Sequence, residues 1–445
     1  MTTTEFAAPE TTADQVAAVS RLARSGLFGE YVVYERLGAV VFAADPLATI
    51  ELDTDRIRVT TGDRVSDEPW TGRPVTVLER TLDQLRMSDP AAASGTVYGW
   101  IGFEFCARSF DAQHHLRPGI GLAHLMIPRV EVTLTDHGVT VTGASDAEAA
   151  FIANVLGTAP EPTSTPRPID VTVDETDYRE RVATAIAEIR KGQYDKVILS
   201  RRVSVPFKVD IAETYRLGRA HNTPARSFLL RLGTLEAAGF SPELVAAVDL
   251  DGTVTTEPLA GTRAFGRGRD SDSAARTDLE SDPKEIVEHA VSVRASCTEV
   301  SAVATPGTLT VTDFMSVRER GSVQHLASTV QGHISPHHTP WDALEVLFPS
   351  VTASGIPKHP AVDAIFRLDN SPRNLYSGAV VTFSAAGELE ATLVLRAVYQ
   401  TPDSTWLRAG AGVIAQSTPD REFEETCEKL TSVSPYLVPF TDIER

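Results

Sequence analysis

The 445-residue sequence predicts an α+β protein in two parts, residues 1–173 and 174–445. From about Gly29 to Thr142, β-branched runs recur with turn residues between them, and two helical patterns interrupt them. Residues 157–175, GTAPEPTSTPRPIDVTVDE, are proline-rich and polar, the composition of a connector. Beyond it an amphipathic helical pattern leads into a strand.

In chain order, DQVAAVSRLARS reads as a helix, EYVVYERLGAVVFAAD and DRIRVTTGD as strands, VTVLERTLDQLRMS as a helix, and GTVYGWIGFEF as a strand. RVEVTLTDHGVTVTG is a hairpin with Asp136, His137 and Gly138 at its turn. After the connector, TDYRERVATAIAEIRKG places Val182, Ala185, Ile186 and Ile189 on one helical face, and Gly192 stops it. The following QYDKVILSRRVSVP reads as a strand on which Lys196 lies in line with Ile198 and Ser200. A lysine there is either a snorkelling side chain or one held in a pocket for chemistry. No period of 20 to 50 residues recurs.

A net charge of −19 without a Lys/Arg cluster argues against a nucleic-acid binder. It also means that an anionic substrate would need local cations, a metal ion or converging backbone N–H groups. The three cysteines, Cys106, Cys297 and Cys427, are widely spaced, which supports neither a zinc site nor a disulfide framework. The opening MTTTEFAAPETTADQ has no basic stretch before an apolar one, and no run reaches the length of a membrane span. A soluble, cytoplasmic protein is expected.

Three constellations could carry chemistry. In GFSPELVAAVDLDGTVTTEPLAGTRAFGRG, Glu243 follows a Ser-Pro turn, where a carboxylate is commonly a solvated loop residue; Gly261 and Thr262 follow the hairpin. In DPKEIVEHAVSVR, Pro283 suits a first helical turn and Glu285 and Glu288 fall three apart, either an exposed acidic face or a pair bridged by a cation. In AGAGVIAQSTPDREFEETCEKL, Gly410 and Gly412 precede a helix bearing Glu422 and Glu425, with Lys429 four residues after Glu425. That lysine could be a plain surface salt bridge. Neither a dinucleotide fingerprint nor a P-loop is present. Two acidic helices far apart in sequence can together hold Mg²⁺, a hard cation that takes one or two carboxylates plus substrate oxygens and water. His337 and His338 in SPHHTP read as loop, and His325 in VQHLAST is either a satisfied core histidine or a pocket residue.

Taken in order, SPELV, EPLAGTR, DPKEIVEH, VQHLASTVQG, LFPSVTASGIPK, LYSGAVV, LRA and GAGVIAQSTPDREFEET resemble the chorismate-utilising enzymes over about Asp174 to Phe440. The resemblance implies their two-subdomain fold, with antiparallel sheets layered by helices and the chemistry in 174–445. Aminodeoxychorismate synthases carry a lysine where this chain has Ala260, and ammonia-using members a glutamine where it has Lys196. The wording, with Thr262, is most similar to salicylate synthases of siderophore pathways; an isochorismate synthase and a chorismate-binding protein without turnover are the alternatives. One departure is Asn374, where the family often has a glycine shortly before the tyrosine of YSGAV.

The resemblance assigns Lys196 and Glu243 as base and acid for adding water at C2 of chorismate and expelling the C4 hydroxyl, before pericyclic loss of pyruvate. It assigns Mg²⁺ to Glu288 and Glu425 with Glu285 and Glu422 behind them, and substrate contacts to Thr262, His325, Tyr376, Arg396, Gly410, Gly412 and Lys429. A monomer without an obligatory amidotransferase is expected.

Overall fold

Two fifteen-residue strands, Ala39–Asp53 and Gly121–Thr135, pair antiparallel along nearly their whole length. Their register breaks after Pro46, which has no N–H to give, beside Asp45 at φ +56°. This break divides the pair between two sheets in a computed structural model that describes residues 3–6, 11–36, 38–158, 164–320 and 323–441. Residues 1–2 and 7–10 at the N-terminus and 159–163 of the connector lie outside the described residues.

The first sheet runs from Ala39–Ala44 through Tyr31–Arg36, Arg226–Leu232, Leu235–Ser241, Ala397–Gln400, Thr405–Val413 and Lys196–Val205 to Gly355–Ile356. The second runs from the early half of Gly121–Thr135 through Val97–Ile101, Ala379–Phe383, Leu389–Leu393, Leu244–Val248 and Thr253–Thr256 to Val323–His333. That last strand also pairs with Leu259–Ala264 and Thr310–Arg320. Every one of these pairings is antiparallel, and the expected hairpin closes with Thr135 opposite Gly138.

Alternation along the strands sorts side chains into layers. Val32 and Tyr34 join Trp100, Tyr376, Val380 and Val394 in an apolar cluster between the sheets. Val33, one residue over, faces a second cluster with Val19 and Leu22 of helix Thr12–Arg24 and Tyr215 of helix Ile211–Ala220. The second sheet is covered on its far side by helices that include Pro74–Ser88, Pro283–Val303 and Pro340–Leu347. The result is the expected mixture of helices layered on antiparallel sheet. Among the described residues no helix is long and apolar enough to cross a membrane. The three cysteines are free thiols.

The chain passes between the sheets at two neighbouring points. Pro242 and Glu243 link Leu235–Ser241 to Leu244–Val248, and 394–396 link Leu389–Leu393 back to Ala397–Gln400. The crossings are tied together: Ser241 Oγ donates to Leu393 O at 2.5 Å, Leu393 N to Glu243 O at 3.1 Å, and Phe240 N to Arg396 O at 3.2 Å.

Asp369 is a second buried polar centre, its side chain 3% exposed. Its carboxylate accepts from Arg373 Nε at 2.8 Å, Arg181 Nη1 at 3.1 Å, Arg408 Nη2 at 3.3 Å, and the N–H and Oγ of Ser200 at 3.1 and 2.7 Å. Burial alone would raise its pKa, but the three guanidiniums outweigh burial and the pKa is lowered. One carboxylate thus fixes the helix Tyr178–Arg190, the strands of Ser200 and Arg408, and the turn after Arg373. Asp369→Asn leaves buried guanidinium charge uncompensated and is expected to cost about 3–5 kcal/mol of unfolding free energy. Urea denaturation measures this, and an unchanged midpoint would mean that the arginines are held by their other bonds.

Candidate active site

Lys196 opens its strand beside Ile356, and Asp195 N and Ile198 N both donate at 2.8 Å to carbonyls of the 354–356 segment. The residue is 6% exposed, so the lysine is not a snorkelling edge residue. Its Nζ lies 2.6 Å from Glu288 Oε1 on helix Pro283–Val303. Lys196 therefore stands as the ion-pair partner of a carboxylate rather than as an isolated amine. Gly412 packs closely against the pair: a Cβ there would lie 3.1 Å from Lys196 Cε, which would have to shift slightly, and 3.8 Å from Glu288 Oε1.

Glu243, on the first crossing, is 3% exposed and not the solvated loop residue that its Ser-Pro turn suggests. Burial is the main cause that pushes its carboxyl up to about 8; Glu257 adds to the rise, while Lys196 and the hydroxyls of Thr352 and Ser350 oppose it. Both hydroxyls donate to Glu243 Oε1, Ser350 at 2.9 Å. The influence of Lys196 puts its charge within electrostatic reach of Glu243.

On the other crossing, Arg396 adopts φ +49° and donates from Nη2 to His325 Nε2 at 3.1 Å. A guanidinium only donates, so Nε2 is the imidazole's acceptor and Nδ1 carries its hydrogen. Nδ1 faces Gly261 O at 3.2 Å and Thr262 Oγ1 at 3.0 Å. Thr262, His325 and Arg396 are thus one chain of contacts. His325 is a satisfied histidine with one side on the crossing.

Tyr376 is buried between the sheets, in the turn that Arg373 anchors. Asn374 has φ +51°, the left-handed region that asparagine tolerates better than most side chains, so it supplies the conformation for which a glycine would otherwise serve. A Cβ at Gly410 would meet the Tyr376 hydroxyl at 2.9 Å and Leu199 O at 2.5 Å, which is why no side chain fits there. Lys429 Nζ donates to Gly410 O at 2.8 Å and pairs with Glu425 at 2.8 Å. Burial acts to lower the lysine's pKa, but Glu425 more than offsets it and the pKa is raised.

The four glutamates lie in the first two turns of two helices, Pro283–Val303 and Pro419–Leu430. Glu285 is held by Arg263 Nη1 at 3.2 Å, and burial, with Glu288 adding, raises its pKa. Burial also raises that of Glu422, with Glu425 adding. Glu425 is lowered, because Lys429 outweighs burial. The Lys284 ammonium acts on Glu285, Glu422 and Glu425 alike, so the two helix starts lie within electrostatic reach of each other. This is a hard-oxygen donor set of the kind Mg²⁺ takes. Glu288 and Glu425 each have a lysine as present counter-ion.

The chorismate binding enzyme family matches residues 33–435 of the chain. The chain belongs to this family. A salicylate synthase of Mycolicibacterium paratuberculosis is 53% identical over 409 residues, 92% of this chain and 90% of that one. An anthranilate synthase component 1 of Halobacterium salinarum is 31% identical, over 87% and 81% of the two chains. In fold, the menaquinone-specific isochorismate synthase of Escherichia coli superposes with a TM-score of 0.73 over 98% of this chain and 94% of its own at 20% identity. Anthranilate synthase component I of Streptococcus pneumoniae does so at 0.72, over 89% and 92%, at 24% identity.

In this chorismate-binding chain the hydroxyls of Ser350 and Thr352 and the arginines around Asp369 are site-shaping groups that single-residue reasoning did not find. The first two sit inside LFPSVTASGIPK, a block whose wording alone does not say which side chain meets Glu243.

The Glu243 carboxyl holds its proton to about pH 8 in the folded chain but loses it near the ordinary 4.5 when unfolded. Between those values the folded state carries the extra proton, so stability falls as pH rises through the window, approaching about 1.4 kcal/mol per pH unit. Glu243→Gln is expected to remove this slope between pH 5 and pH 8, read from urea midpoints; an identical slope in the variant would place the proton elsewhere.

Proposed function

We propose that this chain converts chorismate to salicylate and pyruvate by way of isochorismate. The observation that carries the reading is the 53% identity, across nine-tenths of both chains, to the Mycolicibacterium paratuberculosis protein named salicylate synthase. The geometry supports it with a buried carboxyl that keeps its proton near neutrality and a lysine close enough to lower its pKa.

The first reaction replaces the C4 hydroxyl of chorismate by a hydroxyl at C2. Water forms a bond to C2, both ring double bonds shift by one position, and the C4–O bond breaks. Lys196, as the neutral amine, takes the proton from the attacking water, which requires its ammonium first to give a proton to solvent and to leave its 2.6 Å bond to Glu288. Glu243 gives its proton to the departing oxygen; a carboxyl poised near pH 8 is still protonated at the pH of the reaction. Ser350 and Thr352 fix its orientation.

Mg²⁺, held by Glu288 and Glu425 with Glu285 and Glu422 behind them, would supply the positive charge that meets the substrate's ring carboxylate. Arg396, oriented by its bond to His325, and the Tyr376 hydroxyl receive the enolpyruvyl carboxylate beside the backbone of Gly410 and Gly412. Thr262 holds the imidazole from the other side. Lys429 keeps Glu425 and the Gly410 carbonyl in place. In the second reaction the C2 hydrogen passes to the enolpyruvyl methylene as the C3–O bond breaks, releasing pyruvate and an aromatic ring. This step asks for a confined geometry and no further base. We read the protein as a cytoplasmic monomer that works without an amidotransferase and serves siderophore synthesis.

Purified protein with chorismate and Mg²⁺ should yield salicylate and pyruvate in equal amounts by chromatography, and EDTA should stop the reaction until Mg²⁺ is restored. Isochorismate as the sole product would reduce the activity to the first reaction, and unconsumed chorismate would sink the reading. Lys196→Gln should slow chorismate consumption by at least about 100-fold while leaving conversion of supplied isochorismate measurable. Full consumption of chorismate by this variant would show that another group is the base.

A further inference from the structure

We propose that His114, His115 and Asp363 form a binding site for one borderline divalent transition ion, of the Zn²⁺, Co²⁺ or Cu²⁺ kind, separate from the glutamates of the active site. A ligating atom from each of the three lies within 4.8 Å of the other two. The histidines come from the short 3₁₀ segment Gln113–His115 and the aspartate from helix Lys358–Leu368. His115 Nε2 and Asp363 Oδ1 are 3.0 Å apart. Nitrogen and oxygen ligands at their usual distances from one Zn²⁺ ion lie about 3–3.5 Å from each other.

Outer contacts set the ligands in the manner of metal sites. His114 Nδ1 lies 3.1 Å from Asp111 O, so it carries the hydrogen and leaves Nε2 with a lone pair to offer. The His115 ring stacks on Phe366 at 6.0 Å and 10° and lies 4.0 Å from the His114 ring at a tilt of 39°, which limits its rotation. Asp363 Oδ2 accepts from Arg367 Nε at 2.9 Å, and Arg367 is held in turn by both oxygens of Glu188 at 3.0 and 3.1 Å. Oδ1 is thereby aimed at the histidines. Two imidazoles and one carboxylate favour a transition ion over Mg²⁺, which takes oxygen ligands.

An ion here fastens the 103–115 segment to helix Lys358–Leu368. Both border the active site: Phe103 N donates to Asn374 O at 2.7 Å, and the helix follows Ile356, the partner of Lys196. The site would act as a staple between two supports of the pocket.

The test uses full-length, tag-free protein with excess Mg²⁺ present, so that hard-oxygen sites are filled. One equivalent of added Cu²⁺ is expected to give an electron paramagnetic resonance spectrum with splitting from two nitrogens, and Zn²⁺ to raise the thermal midpoint. In the double variant His114→Gln/His115→Gln the nitrogen splitting should disappear and Zn²⁺ affinity should fall by about tenfold or more. Thermal unfolding without added transition metal verifies that the variant folds. A wild-type spectrum with oxygen ligands only, or a smaller fall in affinity in the folded variant, overturns the proposal.

Discussion

The ion cluster around Asp369 is the constraint on which the site geometry rests. A buried carboxylate with three guanidiniums and a serine is costly to desolvate and tolerable only when every partner is in place. Its value lies in what those partners carry. Ser200 is four residues along the strand from Lys196, Arg408 two residues before Gly410, and Arg373 three before Tyr376. Groups from three remote parts of the chain are thus registered against one point. Arg373 adds bonds to Ala353 O and Ile198 O, which tie the 353–356 segment to the Lys196 strand.

The antiparallel sheets exchange strands, and the exchange explains why polar groups can be buried where they are. A residue inside a strand has its backbone satisfied and its side chain committed to one layer. A residue on a crossing belongs to neither layer and can face the space between them. Glu243 and Arg396 occupy the two crossings, which share hydrogen bonds with each other. Burial at the first raises a carboxyl pKa; at the second a half-buried guanidinium donates to an imidazole. The two neighbouring crossings thus place a protonated carboxyl and a fixed cation on one seam.

Much of this was legible in the sequence. The hairpin at Asp136–Gly138, the helix ending near Gly192, the strand of Lys196 and the acidic helix starts all follow from local periodicity and turn chemistry. The family blocks brought the remote segments together. Burial at Glu243 was not legible, because a Ser-Pro turn looks the same whether it closes a surface loop or crosses between sheets. Nor were the roles of Ser350 and Thr352, since hydroxyl residues near a turn have many ordinary local uses. The left-handed Asn374 lies between these cases: its identity departs from the family pattern, while its backbone keeps the turn that a glycine would give.

The acidity of the chain takes on a different sense once the ion pairs are placed. With net charge −19, the protein places two glutamates, Glu288 and Glu425, in the second turns of their helices and pairs each with a lysine. A cluster of carboxylates without counter-charge would either protonate or repel itself apart. The lysines offset part of that repulsion at Glu288 and Glu425, while Glu285 and Glu422 keep raised pKa values. For Lys429 this arrangement is structural, since it also bonds the Gly410 carbonyl. For Lys196 the same kind of pairing is a positional restraint: its Nζ is engaged 2.6 Å from Glu288 Oε1, and on the proposed chemistry it must leave that carboxylate before it can face an attacking water.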